Sequence, residues 1–252
     1  MRGNGLYLAF TVLGLLLMST RSRPAWRTVA LAMSVTLLGL FRLELPSPHC
    51  IVEGLLARQT VEFLKGSMML KLAIVFLPTL VWGRVFCGWV CPKGALQEIL
   101  FVRRVRLRPP RWADRVLRQL PYASLAAVAV AAYAFDSRLW TQADPFLWTF
   151  QLHGHLPGLA VLAVVLPLSV FLLRPFCRYL CPLVPIFRLL SLRPFQRRSV
   201  DPTACTGCSK GSRACSFDAI GQSGRPKRCV HDATECLGCS DCRQACPKGA
   251  IR

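Results

Sequence analysis

The run Cys236-Leu-Gly-Cys239-Ser-Asp-Cys242-Arg-Gln-Ala-Cys246-Pro247 sets three thiols at intervals of three residues and a fourth four residues further on, followed by proline. Three thiolates from one tight turn can reach three iron corners of a cubane. The fourth, carried onto the next helical turn, points away to a second cluster. This is the bacterial ferredoxin spacing for 4Fe–4S clusters, and it points to a chain that carries electrons.

An internal repeat surrounds that run. Cys205-Thr-Gly-Cys208 … Cys215-Ser-Phe-Asp-Ala-Ile220 matches Cys236-Leu-Gly-Cys239 … Cys246-Pro-Lys-Gly-Ala-Ile251. Two such halves make a two-cluster ferredoxin in which the fourth cysteine of each half serves the other cluster. Cys236, Cys239, Cys242 and Cys215 then supply one cluster in full. The other has Cys205, Cys208 and Cys246, but Gly211 stands where its third cysteine belongs and Ser216 replaces the usual proline. Cys229 is the spare thiol close by. Three readings stay open: Cys229 completes the cubane from the connecting loop, the site holds a 3Fe–4S cluster, or it is empty. Zinc modules also use C-x2-C pairs, but a C-x2-C-x2-C-x3-C-P run is far more typical of iron–sulfur ligation.

A second constellation lies upstream. Gly83-Arg84-Val85-Phe86-Cys87-Gly88-Trp89-Val90-Cys91-Pro92-Lys93-Gly94-Ala95 and Arg174-Pro175-Phe176-Cys177-Arg178-Tyr179-Leu180-Cys181-Pro182 both contain F-C-x3-C-P. At i and i+4 on a helix the two sulfurs of each pair would share one face. Cys87, Cys91, Cys177 and Cys181, converging from two helix ends, could hold a cluster or another thiophilic metal. The alternative is two free or disulfide-linked pairs that cap helix ends.

The elements that position these cysteines are apolar. The chain has 252 residues, is 53% hydrophobic and carries a formal charge of +20, values that do not suit one ordinary soluble domain. Five stretches stand out, at about 5–19, 28–41, 67–83, 121–135 and 156–173. Each falls slightly short of the roughly 20 residues that cross a hydrocarbon core, and apolar flanks extend some of them. Pro78 and Pro167 sit inside two of them, which membrane helices tolerate better than soluble ones. Residues 86–120 carry eight Lys/Arg against two acids, and 174–200 carry six Arg and no acid. Residues 42–66 balance three of each sign, and 137–155 hold one Arg and one Asp. The positive-inside rule then makes the first two segments cytoplasmic and the other two periplasmic. Positive charge of this origin also removes the case for nucleic-acid binding. No cleavable signal peptide is apparent around residues 5–19. Thirteen cysteines, an odd number with C-x2-C spacing, read as metal ligands rather than as a disulfide framework.

The expected periplasmic loops carry weaker signals. His49, Cys50 and Glu53, and Asp144, Trp148, His153 and His155, include groups able to take protons from a quinol. Interfacial anchoring by Trp140 and Trp148, with ordinary loop polarity, accounts for these loops better. Cys50 reads as an unpaired buried thiol and His231 as a solvated loop histidine. No haem-attachment motif, Gly-rich phosphate loop or nucleophile–base arrangement is present, so no catalytic residue is named.

The G-R-x-F-C-G-W-x-C-P-x-G-A-x-Q string at Gly83–Gln97, the second F-C-R-x-L-C-P and the double ferredoxin motif resemble the NapH/NosR/MauN group of polyferredoxin-type membrane proteins. That group includes a quinol dehydrogenase membrane subunit and an oxidase-assembly relative of the CcoG type. The match runs from about residue 27 to 252. The resemblance implies a four-helix membrane core, cytoplasmic cysteine motifs, iron–sulfur clusters, and exchange of electrons with the quinone pool and a periplasmic partner. It carries over to Cys87, Cys91, Cys177, Cys181 and the tail cysteines. Val184 and Pro185 depart from the Gly-Ala expected after the second C-P, Gly211 departs from the ligand pattern, and the first apolar stretch is an extra span. No long periplasmic flavin-binding domain precedes the membrane part, unlike a full-length NosR regulator.

The fold expected is an integral-membrane all-α bundle of four or five transmembrane helices over residues 1–198, followed by a small α+β two-cluster ferredoxin-like domain over 199–252. The placement expected is a bacterial cytoplasmic membrane, multi-pass, with the C-terminal domain in the cytoplasm. The function expected is electron transfer between membrane quinol and a redox partner, as a subunit of an oxidoreductase rather than a stand-alone enzyme. That partner is a periplasmic oxidoreductase or cytochrome, or an acidic cytoplasmic ferredoxin or flavodoxin steered by the basic surface. The alternative is an assembly or maturation factor that reduces or delivers a metal, with the C-x3-C-P pairs as its working site.

Overall fold

A computed structural model describes residues 24–40, 66–135, 144–151, 155–195, 199–223 and 228–251, together with Val12. Helix α1 (Pro24–Met33) runs on into a π-helical segment, Ser34–Leu40. Helix α2 (Gly66–Trp82) leads to the first cysteine motif, and α3 (Pro92–Leu100) leaves it. Next come α4 (Arg111–Leu117), α5 (Leu120–Phe135), a short α6 (Phe146–Gln151) and α7 (Leu156–Phe171). The second motif spans α8 (Pro175–Tyr179) and the turn into α9 (Val184–Leu190).

Helices therefore stand on four of the five apolar stretches; the stretch at 5–19, Val12 apart, lies outside the described residues. Their composition explains them: α5 and α7 contain no charged residue, and an all-round apolar helix must be buried in protein or in lipid. Among the described residues, Trp112–Ala134 is the one helix long and apolar enough to cross a membrane, and the apolar helices Trp26–Gly39, Leu72–Trp82 and Leu156–Phe171 are shorter. Val130, Tyr133, Leu159 and Val164 on α5 and α7 face outward.

Two clusters bind the helices together. Ile74 and Val75 of α2 meet Phe86, Trp89 and Val90 of the first motif, with Leu183 and Phe187 from the second. Phe146, Val165 and Phe176 form the other, with Phe146 edge-on to Phe176 at 5.1 Å between ring centroids.

The C-terminal tail is small and irregular. It holds α10 (Lys210–Ala214), strands β1 (Ile220–Ser223) and β2 (Arg228–His231), and α11 (Asp241–Gln244). The strands pair antiparallel, with Ile220 opposite His231 and Gln222 opposite Cys229, and Val200 bridges to Ile251.

Arginines from the helical part grip this tail. Buried Arg84 donates to the Thr234 carbonyl and to Glu235, each at 3.2 Å, while Arg118 and Arg188 reach the other Glu235 oxygen at 3.2 and 2.7 Å. Arg178 pairs with Asp218 at 2.9 Å and Arg103 with Asp241 at 2.8 Å. The basic residues that bias the charge of 86–120 and 174–200 are thus also counterions for acids of the tail.

Candidate metal centre

The sequence repeat is a structural repeat. Gly207 and Gly238 take the same left-handed backbone (φ 69° and 70°), as do Ser209 and Ser240 (φ 61° and 67°) and Asp218 and Gly249 (φ 56° and 60°). Glycine makes that conformation cheap at the C-x-G-C turns. Each turn curls its amides toward sulfur: Gly238 N–H donates to Cys236 Sγ at 3.5 Å, and the backbone N–H of Lys210 donates to Cys208.

Two cavities result. One, enclosing about 350 Å³ of space between atoms with open solvent included, is lined by Cys215, Cys236, Cys239 and Cys242. The other, about 320 Å³ on the same measure, is lined by Cys205, Cys208, Cys229 and Cys246. Each draws cysteines from both halves of the repeat. Cys229 comes from β2 rather than from a loop, and its backbone N–H lies 3.5 Å from Cys205 Sγ. Burial, then the hydrogen bond with Cys205, pushes the Cys229 thiol up to about 11. Burial likewise raises Cys239 to about 11, whereas the amide of Lys210 lowers exposed Cys208. Loading a metal on such thiols releases protons.

Gly211 also lines the second cavity. A Cβ placed there would lie 2.8 Å from Ile251 Cδ1, so a side chain at the ordinary third-ligand position would have to displace the end of the Ile251 side chain. We expect Gly211→Cys, introduced with Cys229→Ala, to recover little iron and to cost about 1–3 kcal/mol by overpacking. Iron analysis should show better recovery once Ile251 is also trimmed to Ala.

The upstream cysteines form a third group. Gly83 ends α2 in a left-handed conformation (φ 78°), a π-helical turn carries Phe86–Val90, and Cys91 is extended at the N-cap of α3. Cys177 lies in α8 and Cys181 beyond its end. Neither pair shares one α-helix face, as the i, i+4 spacing suggested, because each motif breaks its helix between the two thiols. The four sulfurs still meet, close enough to feel one another's charge. All twelve described cysteines are free thiols, so no disulfide joins these pairs. No three His, Cys, Asp or Glu side chains among the described residues are grouped as tightly as a single ion requires.

Buried polar groups frame this third group. Gln97 links the two motifs, donating to Cys177 Sγ at 3.5 Å and accepting from Phe176 N–H at 2.9 Å. Arg174, wholly buried and left-handed (φ 52°), donates to the carbonyls of Cys87 and Gly88 and bonds Glu98 at 2.8 Å. A Cβ on Gly94 would stand 2.6 Å from Arg174 Nη1, so the glycine of G-A-x-Q makes room for the guanidinium. Arg84 and Arg174 bring buried positive charge close to this group of thiols.

Comparison with known proteins agrees with this chemistry. A family profile described as a 4Fe-4S binding domain matches residues 65–110 and 155–199, the two segments that carry C-x3-C-P. An uncharacterized protein of Methanocaldococcus jannaschii is 31% identical over 170 residues, covering 65% of this chain and 71% of its own. Protein NirI of Paracoccus denitrificans is 34% identical over 62% of this chain, and Regulatory protein NosR of Pseudomonas aeruginosa is 30% identical over 79%. A methylamine utilization ferredoxin-type protein MauN and a ferredoxin-type protein NapH are similar as well. The chain belongs to the NapH/NosR/MauN-type ferredoxin-like family.

It is an iron–sulfur, electron-transport family. The chain spans only 25% of NirI and 30% of NosR, so it corresponds to a part of those proteins. No solved structure is significantly similar. For this family member the structure adds two residues the sequence reading misplaced. His231 is buried in β2 and lines the Cys236 cavity instead of standing in a solvated loop. Asp144, read as a loop acid at the opposite end of the bundle from the motifs, is buried and ion-paired with Lys93. Helix α6 folds back along α7 and brings Asp144 inward, where a buried lysine requires a counterion. Its other oxygen accepts from Phe146 N–H at 3.0 Å. A period-two or helical apolar pattern signals neither contact. Trp148 donates to the His155 carbonyl at 3.1 Å. His49, Cys50, Glu53, Trp140 and His153 lie outside the described residues.

Proposed function

We propose that this protein is a multi-pass membrane iron–sulfur electron carrier that passes electrons between the quinone pool and a redox partner protein. The single observation that carries the reading is the pair of tail cavities, each walled by four cysteines in an interleaved set. The donors suit iron–sulfur clusters: thiols at four walls, left-handed turns that aim amides at sulfur, and little competing oxygen ligation. Cys215, Cys236, Cys239 and Cys242 would hold one 4Fe–4S cluster, and Cys205, Cys208, Cys229 and Cys246 the second. Cys87, Cys91, Cys177 and Cys181 would hold a further iron–sulfur centre. A cluster so bound supplies a site that gains and loses one electron at a time.

This chain's own residues set where that happens. Backbone amides at Cys208 and Cys236 stabilise anionic sulfur, and His231 and Leu237 limit water at the Cys236 cavity. Exposed Cys208, with Arg104 and Arg108 among the exposed guanidiniums, favours an acidic partner on the tail side.

Four apolar helical segments, outward-facing Val130, Tyr133 and Val164, and the excess of arginine in 86–120 and 174–200 support a bundle of four or five spans over 1–198. In that arrangement 199–252 is the iron–sulfur domain on the cytoplasmic side of a bacterial inner membrane.

Iron and acid-labile sulfide content, with low-temperature EPR on protein purified without oxygen, tests the reading. Two or more clusters, one of them reduced by a quinol analogue, are expected. Clusters that no quinol reduces would move the function toward metal reduction for assembly of another enzyme, and zinc or copper in place of iron would sink the electron-carrier reading.

A further inference from the structure

The helical part and the tail touch at one place where both backbones carry cysteines. A Cβ on Gly88 would stand 2.1 Å from the Leu237 carbonyl oxygen and 3.1 Å from its carbon. The two chains therefore pass closer than any side chain allows, and only glycine permits the approach. Next to it, Trp89 Nε1–H donates to the Gly238 carbonyl at 3.3 Å, in a fully buried setting. Gly88 follows Cys87 directly; Leu237 follows Cys236, and Gly238 precedes Cys239. Cys87 also packs against the apolar group that holds Cys215, Leu237 and Cys242.

We propose that this contact, Gly88-Trp89 against Leu237-Gly238, is the electronic junction between the C-x3-C-P centre and the Cys236 cavity. The inference rests on the reading that iron–sulfur clusters occupy both places. One electron crosses: the centre that gives it is oxidised by one, the other is reduced by one, and no bond or proton is exchanged. Tunnelling falls steeply with distance and more steeply through space than through bonds. One peptide unit on each side of a backbone contact, with a hydrogen bond beside it, is a short path. The order of stations follows. The cavity of Cys205, Cys208, Cys229 and Cys246, with Cys208 exposed, is the outer station. The Cys236 cavity is the middle one, and the four sulfurs of the C-x3-C-P motifs are the inner one. Glu235, held by Arg84, Arg118 and Arg188 beside Cys236, keeps the junction closed.

Trp89 and Gly88 are positioning residues in this scheme, so the test must read more than loading. Full-length protein, Gly88→Val and Trp89→Phe are reduced with dithionite and freeze-quenched for EPR, alongside iron and sulfide analysis. In the native protein the tail signals should appear first, the inner signal second, with spin–spin splitting between inner and middle centres at full reduction. Gly88→Val should keep iron and the tail phase but lose the splitting and slow the inner phase. Trp89→Phe, which keeps the backbone contact, should slow the inner phase alone. If Gly88→Val fails to retain iron, Trp89→Phe decides. An inner phase at its native rate in the variants that load iron overturns the junction, as does native protein with all three centres and no splitting. Native protein without tail clusters overturns the functional reading itself.

Discussion

Cys229→Ala is expected to empty or degrade one tail centre and leave the other intact. The cavity that Cys229 lines has only three further thiols, Cys205, Cys208 and Cys246, and Gly211 offers no replacement. Loss of one thiolate leaves one iron corner without a protein ligand. Iron analysis should fall by a whole cluster, or by the single corner iron of a 3Fe–4S product; both outcomes put Cys229 on the metal. The signal from the cavity of Cys215, Cys236, Cys239 and Cys242 should be unchanged, because no residue is shared between the two cysteine sets. Cys242→Ala should give the reciprocal result. Iron content and both EPR signals at native levels in Cys229→Ala would remove Cys229 from the ligand set and leave the second site a three-thiolate one.

Glu235→Ala is expected to be the most damaging change outside the cysteines. It leaves Arg84, Arg118 and Arg188 gathered around a missing carboxylate, with Arg84 almost wholly buried. Breaking a buried ion pair by removing one partner costs about 3–5 kcal/mol, because the surviving charge stays desolvated. The loss should appear as a lower thermal midpoint and faster proteolysis of the tail from the helical part. Glu235→Gln, which keeps shape and one acceptor but no charge, should fall between the two. A Glu235→Ala protein as stable as the native one would show that the arginines are satisfied elsewhere and that the tail docks through its apolar contacts alone.

Much of the fold could be read from periodicity and composition. The apolar stretches become helices because, Lys71 apart, they hold no charged residue, and two of them end where Gly83 and Arg174 turn left-handed. The grouping of tail cysteines followed from the repeat, whose spacing decides which thiols can face one another. What could not be read was everything that depends on two distant segments meeting. Gly211 reads as a missing ligand, and only the structure shows the tip of the Ile251 side chain filling that place. Asp144 and Lys93 are far apart in sequence, and neither residue announces its partner. The arginines of 86–120 and 174–200 were read as a membrane-orienting bias, although Arg103, Arg118, Arg178 and Arg188 also bind acids of the tail. One charge pattern therefore serves two causes, and counting charges cannot separate them.

The interleaving of the two cavities has a consequence for how the protein is made. Cys215 belongs with Cys236, Cys239 and Cys242, while Cys205 and Cys208 wait for Cys229 and Cys246. During synthesis the helical segments emerge long before either set is complete, so the ribosome releases both sets of thiols almost together. A chain truncated anywhere before Cys242 has neither set of four thiols complete. On the proposed reading, Cys242 and Cys246 complete the two four-thiol sets almost together, so neither centre would be fully ligated much before the other.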